Sequence, residues 1–339
     1  MKNMTRNIGL DVIRSIAIFF VIGGHFFLLH TSLREVPFKG ISLFVQGTFL
    51  SLFLSGVPLF VVLTGYLNIS KSCSWTYYKN IKRVLYSYLL FSILTILFRK
   101  YYLGDTETWI EWGLKILDFS AIPYAWYIEM WIGLYLLTPF LNILYKNMGN
   151  RNVKQLLIGI LFLMTTLPHW LNRDGMHLFP AFWQQCWPLT FYFIGAYIQE
   201  YQPRVRLGLV AILIMGLCLL NPVLNLLLHT RSLLLLGGGP EDIVSFFITI
   251  LLFLIFYQIN IKKKIVEKVV MNISLYSLDI YLCCYIFDVL YYPFFKNHFY
   301  VTQVQFGSYF FILVPLVLIS SFLVAFLKNR LQRIIATGL

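Results

Sequence analysis

Charge is scarce in this sequence. Asp, Glu, Lys and Arg make up only 12% of its 339 residues, against about 25% in soluble proteins. That shortage excludes an ordinary solvated surface, and no stretch is long enough and polar enough to form a separate soluble domain. Paired CxxC spacing is missing too, which argues against a structural zinc site or a secreted disulfide framework. The five cysteines, Cys73, Cys186, Cys218, Cys283 and Cys284, are an odd set within mostly apolar windows and are read as thiols packed in the membrane. No small-residue cleavage site follows the first apolar run, so the first helix is expected to be retained. Gly237-Gly238-Gly239-Pro240 lacks the rest of a phosphate loop and reads as a turn before a helix. The sequence shows no internal repeat and no low-complexity segment.

What is present is apolar surface: 59% hydrophobic and 18% aromatic residues, with windows near the roughly 20 residues needed to cross a bilayer recurring along the whole chain. The expected fold is an all-α polytopic membrane protein forming one domain over residues 1–339. About ten transmembrane helices are expected, near 8–30, 41–67, 81–98, 124–145, 154–171, 185–200, 206–228, 242–260, 272–292 and 306–328. Assigning the loops alternately to the two sides places 18 Lys and Arg on the side of the amino terminus and 8 on the other. Cytoplasmic loops are the basic ones, so both termini are expected in the cytoplasm. The same dispersal accounts for the net charge of +13 through topology and membrane lipids, without a nucleic-acid partner.

One apolar segment carries three ionisable groups: Asp11, Arg14 and His25. The eleven steps from Arg14 to His25 advance a helix by about 1100°, roughly 20° net, so the two share a face. His25 then stands roughly 16 Å further along the axis. Asp11, three residues before Arg14, is placed to pair with the guanidinium. Singly, an Arg can snorkel to headgroups and a His can satisfy a packing contact. Three such groups on one stripe favour a cavity or pathway, because each would otherwise carry a separate burial cost. A second polar face, Asn272, Tyr276, Asp279 and Cys283, runs along the ninth span and is expected to face the same cavity or to bond neighbouring helices. Glu129, with Trp126 and Tyr127 beside it, is a further cavity candidate, the aromatics equally suiting the membrane interface. His169 and His177, around a loop with Arg173 and Asp174, lack a third ligand, and no metal is expected.

Leu10 through Ala17 with His25 resembles the first-helix signature of the acyltransferase-3 family, an Arg or Lys and a His separated by ten residues. Ser55 to Leu67 is similar to that family's second helix, with Thr64 in place of a Ser. Tyr77 to Leu85 resembles the basic start of the third helix, and Ala125-Trp126-Tyr127 through Tyr135 to Thr138-Pro139 resembles a later aromatic segment. The resemblance spans essentially the whole chain. Two departures stand out. Where the family usually has two arginines separated by two residues, this chain offers Lys79, Lys82 and Arg83, and Lys lacks the bidentate fork of Arg. Ser277 to Cys284 resembles a segment in which many members have a second His, but Cys284 occupies that position.

The resemblance implies acyl transfer, commonly of acetyl, from cytoplasmic acetyl-CoA (acyl-CoA) as co-substrate to a hydroxyl of a sugar or surface polysaccharide, in a bacterial cytoplasmic membrane. His25 is then the expected general base and acid. Arg14, partnered by Asp11, would orient the donor or stabilise charge on the carbonyl oxygen. Lys79, Lys82 and Arg83 would hold the phosphates of the donor. Cys283 or Cys284 as a thioester relay is a secondary reading. The rival class is an ion-coupled transporter or flippase of a small polar or glycan-related substrate, which would also need buried Asp, Arg, His and Glu.

Overall fold

The structure, a computed structural model, describes residues 7–31, 38–172, 177–228, 238–299 and 302–337. Lys2, Arg6, Arg34, Arg173, Asp174, Arg231 and Gly237, used above, lie outside them. The chain is 82% helical with no strand among the described residues. The helices are α1 (Ile8–His25), α2 (Gly40–Phe53), α3 (Gly56–Asn68), α4 (Trp75–Lys79), α5 (Ile81–Phe98), α6 (Trp109–Leu117) and α7 (Trp126–Asn147). They continue with α8 (Arg151–Leu171), α9 (Trp187–Tyr201), α10 (Leu207–Leu227), α11 (Ile243–Phe256), α12 (Lys264–Phe299), α13 (Gln303–Ser308) and α14 (Phe310–Thr337). Among the described residues, eight stretches are long and apolar enough to cross a membrane. The expected spans near 185–200 and 242–260 are helices of only 15 and 14 residues.

Each departure from the expected spans has a local cause. The expected span 41–67 is interrupted at Leu54 and Ser55, between α2 and α3. Pro58 has no N–H to give to the Leu54 carbonyl, and Gly56 lets the chain press onto α1, where a Cβ would sit 2.9 Å from the Ala17 carbonyl oxygen. The 36 residues of α12 span about 54 Å, well beyond a hydrocarbon core of about 30 Å. Helix α6 lies in a loop that hydropathy leaves blank. Thr108 and Glu111 form a reciprocal capping box at its start, and Arg99 and Lys115 stand over the ring of the buried Trp112.

Helix α1 packs against α2, α3, α11, α12 and α14, so its polar stripe meets neighbours on several sides. Its last turn widens into a π turn over Phe26–His30. In an α-helix His30 would point roughly 140° away from His25. A turn closed by i to i+5 hydrogen bonds brings it back to nearly the same side. Helix α7 is docked through its own proline. Pro139 leaves the Tyr135 carbonyl without its helical donor, and the Tyr77 hydroxyl donates to that oxygen at 2.8 Å. The Tyr135 hydroxyl answers by donating to the Tyr77 carbonyl. Buried Asn142 donates to the carbonyls of Asn68 and Lys71, both at 2.7 Å, and accepts from the Tyr192 hydroxyl at 2.5 Å, which fixes the end of α3 to α7 and α9.

Helices α3 and α9 touch backbone to backbone. A Cβ on Gly65 would lie 2.0 Å from the Tyr192 carbonyl oxygen, and one on Gly195 would lie 2.0 Å from that of Val62. Without a hydrophobic drive between helices in lipid, such small-residue contacts are what hold neighbours together. Gly195→Ala should therefore destabilise the protein by about 1–3 kcal/mol through overpacking. Gly159→Ala, on α8 with nothing within 4 Å of the new Cβ, should be neutral or stabilising by up to about 1 kcal/mol. Thermal unfolding of both variants in detergent checks the pair, and equal midpoints would remove the close-contact argument.

Candidate active site

A cavity of about 700 Å³ lies between α1, α3, α5, α7, α12 and α14, within the range of small-molecule sites. Lys82 and Arg83 from α5 and Lys328, Asn329 and Gln332 from α14 line one end. Arg14 stands in the wall of α1, with Ser274 and Ser277 of α12 opposite. Val21, Tyr127 and Tyr281 also line it. Four cations thus share the lining with a single acid, Asp279.

The polar groups at each level are held by neighbours. Ser274 Oγ donates to Asp11 Oδ1 at 2.6 Å and accepts from Arg14 Nη1 at 3.3 Å. A small hydroxyl of α12 therefore links the acid and the guanidinium that the sequence places three residues apart on α1. At the basic end, Lys328 Nζ donates to Asp279 Oδ1 at 2.7 Å and to Ser87 Oγ at 2.8 Å. Asn329 Nδ2 donates to Asp279 Oδ2 at 2.7 Å. Both carboxylate oxygens are thereby satisfied, and α5, α12 and α14 are tied together around one side chain.

His25 lies one turn beyond Val21, outside the cavity lining. Its ring sits on Tyr124, with centroids 3.8 Å apart, and 6.3 Å from the ring of Tyr281. The Tyr281 hydroxyl donates to the Tyr124 carbonyl, which locks the aromatic partition between the cavity and the imidazole. Beyond it runs a buried hydrogen-bonded chain. The Tyr124 hydroxyl donates to Asp288 Oδ2 at 2.8 Å, and His30 Nε2 lies 2.8 Å from the same hydroxyl. Since that hydroxyl has one proton and gives it to Asp288, His30 is the donor to it. Cys284 Sγ lies 4.0 Å from His25 Nδ1 and donates to the Tyr281 carbonyl at 3.1 Å.

Of the residues expected to act, Arg14, Lys82, Arg83 and Asp279 line the cavity, with Asp11 joined to them through Ser274. The others are placed elsewhere. Lys79 is exposed and stands 5.8 Å from the centroid of the Trp75 ring. Trp126 and Glu129 are exposed outside the cavity, because the first turn of α7 presents Tyr127 and Ile128 instead. Tyr276 packs on Phe322 and Phe326 of α14, and Cys283 is buried away from the lining. The polar cavity face of α12 is Ser274, Ser277, Asp279 and Tyr281, which keeps Asp279 of the expected face but not Asn272, Tyr276 or Cys283. Lys328, Asn329, Ser274, Tyr124, His30 and Asp288 are absent from the sequence reading as site residues. Asp288 was within reach of it, four residues after Cys284 and so on the same helical face.

Residues 7–327 match the model of an acyltransferase domain. With eight helices of membrane-spanning length and composition among the described residues, the class is a membrane acyltransferase. The chain belongs to the acyltransferase-3 family. Comparison with curated proteins and with solved structures found no match to either.

The Lys328–Asp279 pair sits where neither side chain is more than 11% exposed. Losing one partner of a buried pair strands the other. Lys328→Met should cost about 3 kcal/mol or more, and adding Asp279→Asn should recover at least half of that. Unfolding of the single and double variants in mixed micelles measures the coupling, and a double variant no more stable than Lys328→Met refutes it.

Proposed function

We propose that this protein is an O-acetyltransferase of the bacterial cytoplasmic membrane that moves an acetyl group from cytoplasmic acetyl-CoA to a hydroxyl of a cell-surface polysaccharide or its sugar precursor. The observation that carries the reading is the cavity whose lining runs from the cations Lys82, Arg83 and Lys328 to an aromatic end one turn below His25. The loops on the side of Lys82 and Lys328 are the basic ones, which supports a cytoplasmic basic end and cytoplasmic termini.

In this reading the donor's phosphates dock on Lys82, Arg83 and Lys328, and its extended thioester arm runs along Arg14 toward Tyr127 and Tyr281. Arg14, oriented by Ser274 and neutralised by Asp11, stabilises negative charge that develops on the transferring carbonyl oxygen. The acceptor hydroxyl approaches from the His25 side. A hydroxyl is a weak nucleophile near neutral pH, and an imidazole can take its proton as the bond to the carbonyl carbon forms. The same imidazole returns that proton to the departing thiolate, so the cycle needs no further acid or base. Tyr281 and Tyr127 must yield at the reacting moment, since their rings separate the cavity from His25.

Membranes holding the protein, supplied with radiolabelled acetyl-CoA, should transfer label to glycan. Removing a general base typically slows a reaction by about 10²–10⁴-fold, so His25→Ala should lower label in glycan by that range while the protein remains folded and inserted. Mass spectrometry of surface glycans locates the acetyl group. Substrate crossing the membrane without a covalent product would refute the enzyme reading in favour of transport.

A further inference from the structure

The sequence reading expects no metal, because His169 and His177 lack a third ligand. The fold changes that. His25, Cys284 and Asp288 come together across α1 and α12, and one ligand atom from each lies within 4.8 Å of the other two. Cys284 and Asp288 are fully buried and His25 is partly buried. We propose that these three side chains bind a divalent cation of the zinc class, and that the bound cation takes His25 out of acid–base use.

The donor set is the first ground. A thiolate, an imidazole and a carboxylate are all ligands of zinc, and three protein ligands with one open position are the usual pattern where the metal stays accessible. Bond lengths of about 2.3 Å to sulfur and 2.0 Å to nitrogen put those two atoms roughly 3.5 Å apart across a tetrahedral angle. Cys284 Sγ and His25 Nδ1 are already 4.0 Å apart, close to that spacing.

The second ground is independent of the first. Asp288 is 0% exposed, and its Oδ1 makes no hydrogen bond of ordinary geometry, with the Tyr292 hydroxyl its polar neighbour. A buried carboxylate oxygen without such a bond is costly, and it belongs to one of the three clustered side chains. The other oxygen, Oδ2, accepts from the Tyr124 hydroxyl, which His30 in turn supports. A ligand carboxylate braced by an outer hydrogen bond is the arrangement that orients metal ligands. The sulfur excludes hard cations such as Mg²⁺ and selects the zinc class. Binding replaces the thiol proton of Cys284 by the metal and releases that proton, with loss of its bond to the Tyr281 carbonyl.

The consequence for activity rests on His25 being the base. A metal on Nδ1 occupies one lone pair and withdraws charge from the ring, so the cation and the acceptor proton compete for the same imidazole. Cys284 stands where many members of the family carry a second His, and a thiolate binds this class of metal more tightly than it binds a hard cation such as Mg²⁺ or Ca²⁺.

The full-length protein, purified in detergent and stripped with a chelator, is titrated with Co²⁺ and with Zn²⁺. About one Co²⁺ per chain should bind, with a sulfur-to-cobalt charge-transfer band. Cys284→His should keep the metal and lose the band, which separates loss of the ligand from loss of the fold, whereas Cys283→Ala should change neither. Asp288→Asn should weaken binding at least tenfold, and Mg²⁺ should not compete. No bound equivalent, or a band that survives Cys284→His, overturns the site. Zn²⁺ should also inhibit acetyl transfer over the concentration range in which it binds, and full transfer with the site loaded overturns the competition for His25. The titration reads the site even where acetyl transfer is absent, so its result stands apart from that of the labelling assay.

Discussion

A polar group at membrane depth has no water to fall back on, and the arrangement of this protein follows from that requirement. Asp279 can sit in the wall of the cavity because Lys328 takes one oxygen and Asn329 the other. Arg14 can stand within an apolar helix because Ser274 joins it to Asp11. Even the carbonyl that Pro139 leaves bare receives the Tyr77 hydroxyl. Each of these bonds crosses between helices, so satisfying the polar group also fixes the bundle, and the cavity is the space that the fixed helices enclose. The stability of the fold and the charge lining of the site therefore share the same side chains.

That sharing explains how the cavity remains cationic. Four positive side chains around one space repel one another, and in a low-dielectric setting the repulsion is strong. Asp279 and Asp11 offset it from opposite sides, yet both have their oxygens engaged by protein donors. An anionic ligand entering the space therefore meets Lys82 and Arg83, which are exposed, before it meets a paired cation. The exposed pair is thus the first charge that such a ligand meets, and the buried groups lie further in.

The polar stripe of α1 was legible because it depends only on helical periodicity: Arg14 and His25 do lie on one side of α1, and the basic start of α5 does reach the cavity. What escaped depended on features that periodicity does not encode. His30 joins His25 through a π turn, and a regular helix would have turned it away. Lys328 enters the sequence reading only in the count of basic residues on the amino-terminal side, because its acid partner is 49 residues distant. Glu129, an acid inside an apolar span, reads as either a cavity residue or a helix-packing partner, and Trp126 beside it as either cavity or interface, whereas the first turn of α7 turns Tyr127 toward the cavity in their place. Helix α6 carried a usable signal in Thr108 and Glu111, three residues apart as a capping box requires, but hydropathy gives no weight to caps.

The partition at Tyr281 bears on why this chain carries a cysteine beside its histidine. Tyr281 and Cys284 are joined, the thiol donating to the Tyr281 carbonyl while the Tyr281 hydroxyl is held by the Tyr124 carbonyl. Tyr124 in turn carries the ring of His25 on its face and gives its hydroxyl proton to Asp288. A change at any one of these four side chains is therefore felt by the aromatic floor and by the imidazole above it. An imidazole at position 284 would bring a second titratable ring against His25, and in a water-poor setting two rings could not both carry a proton without strong repulsion. A thiol removes that conflict. His25 then lies on the Tyr124 ring, while His30 meets the same tyrosine at its hydroxyl, so the two imidazoles contact different parts of one side chain.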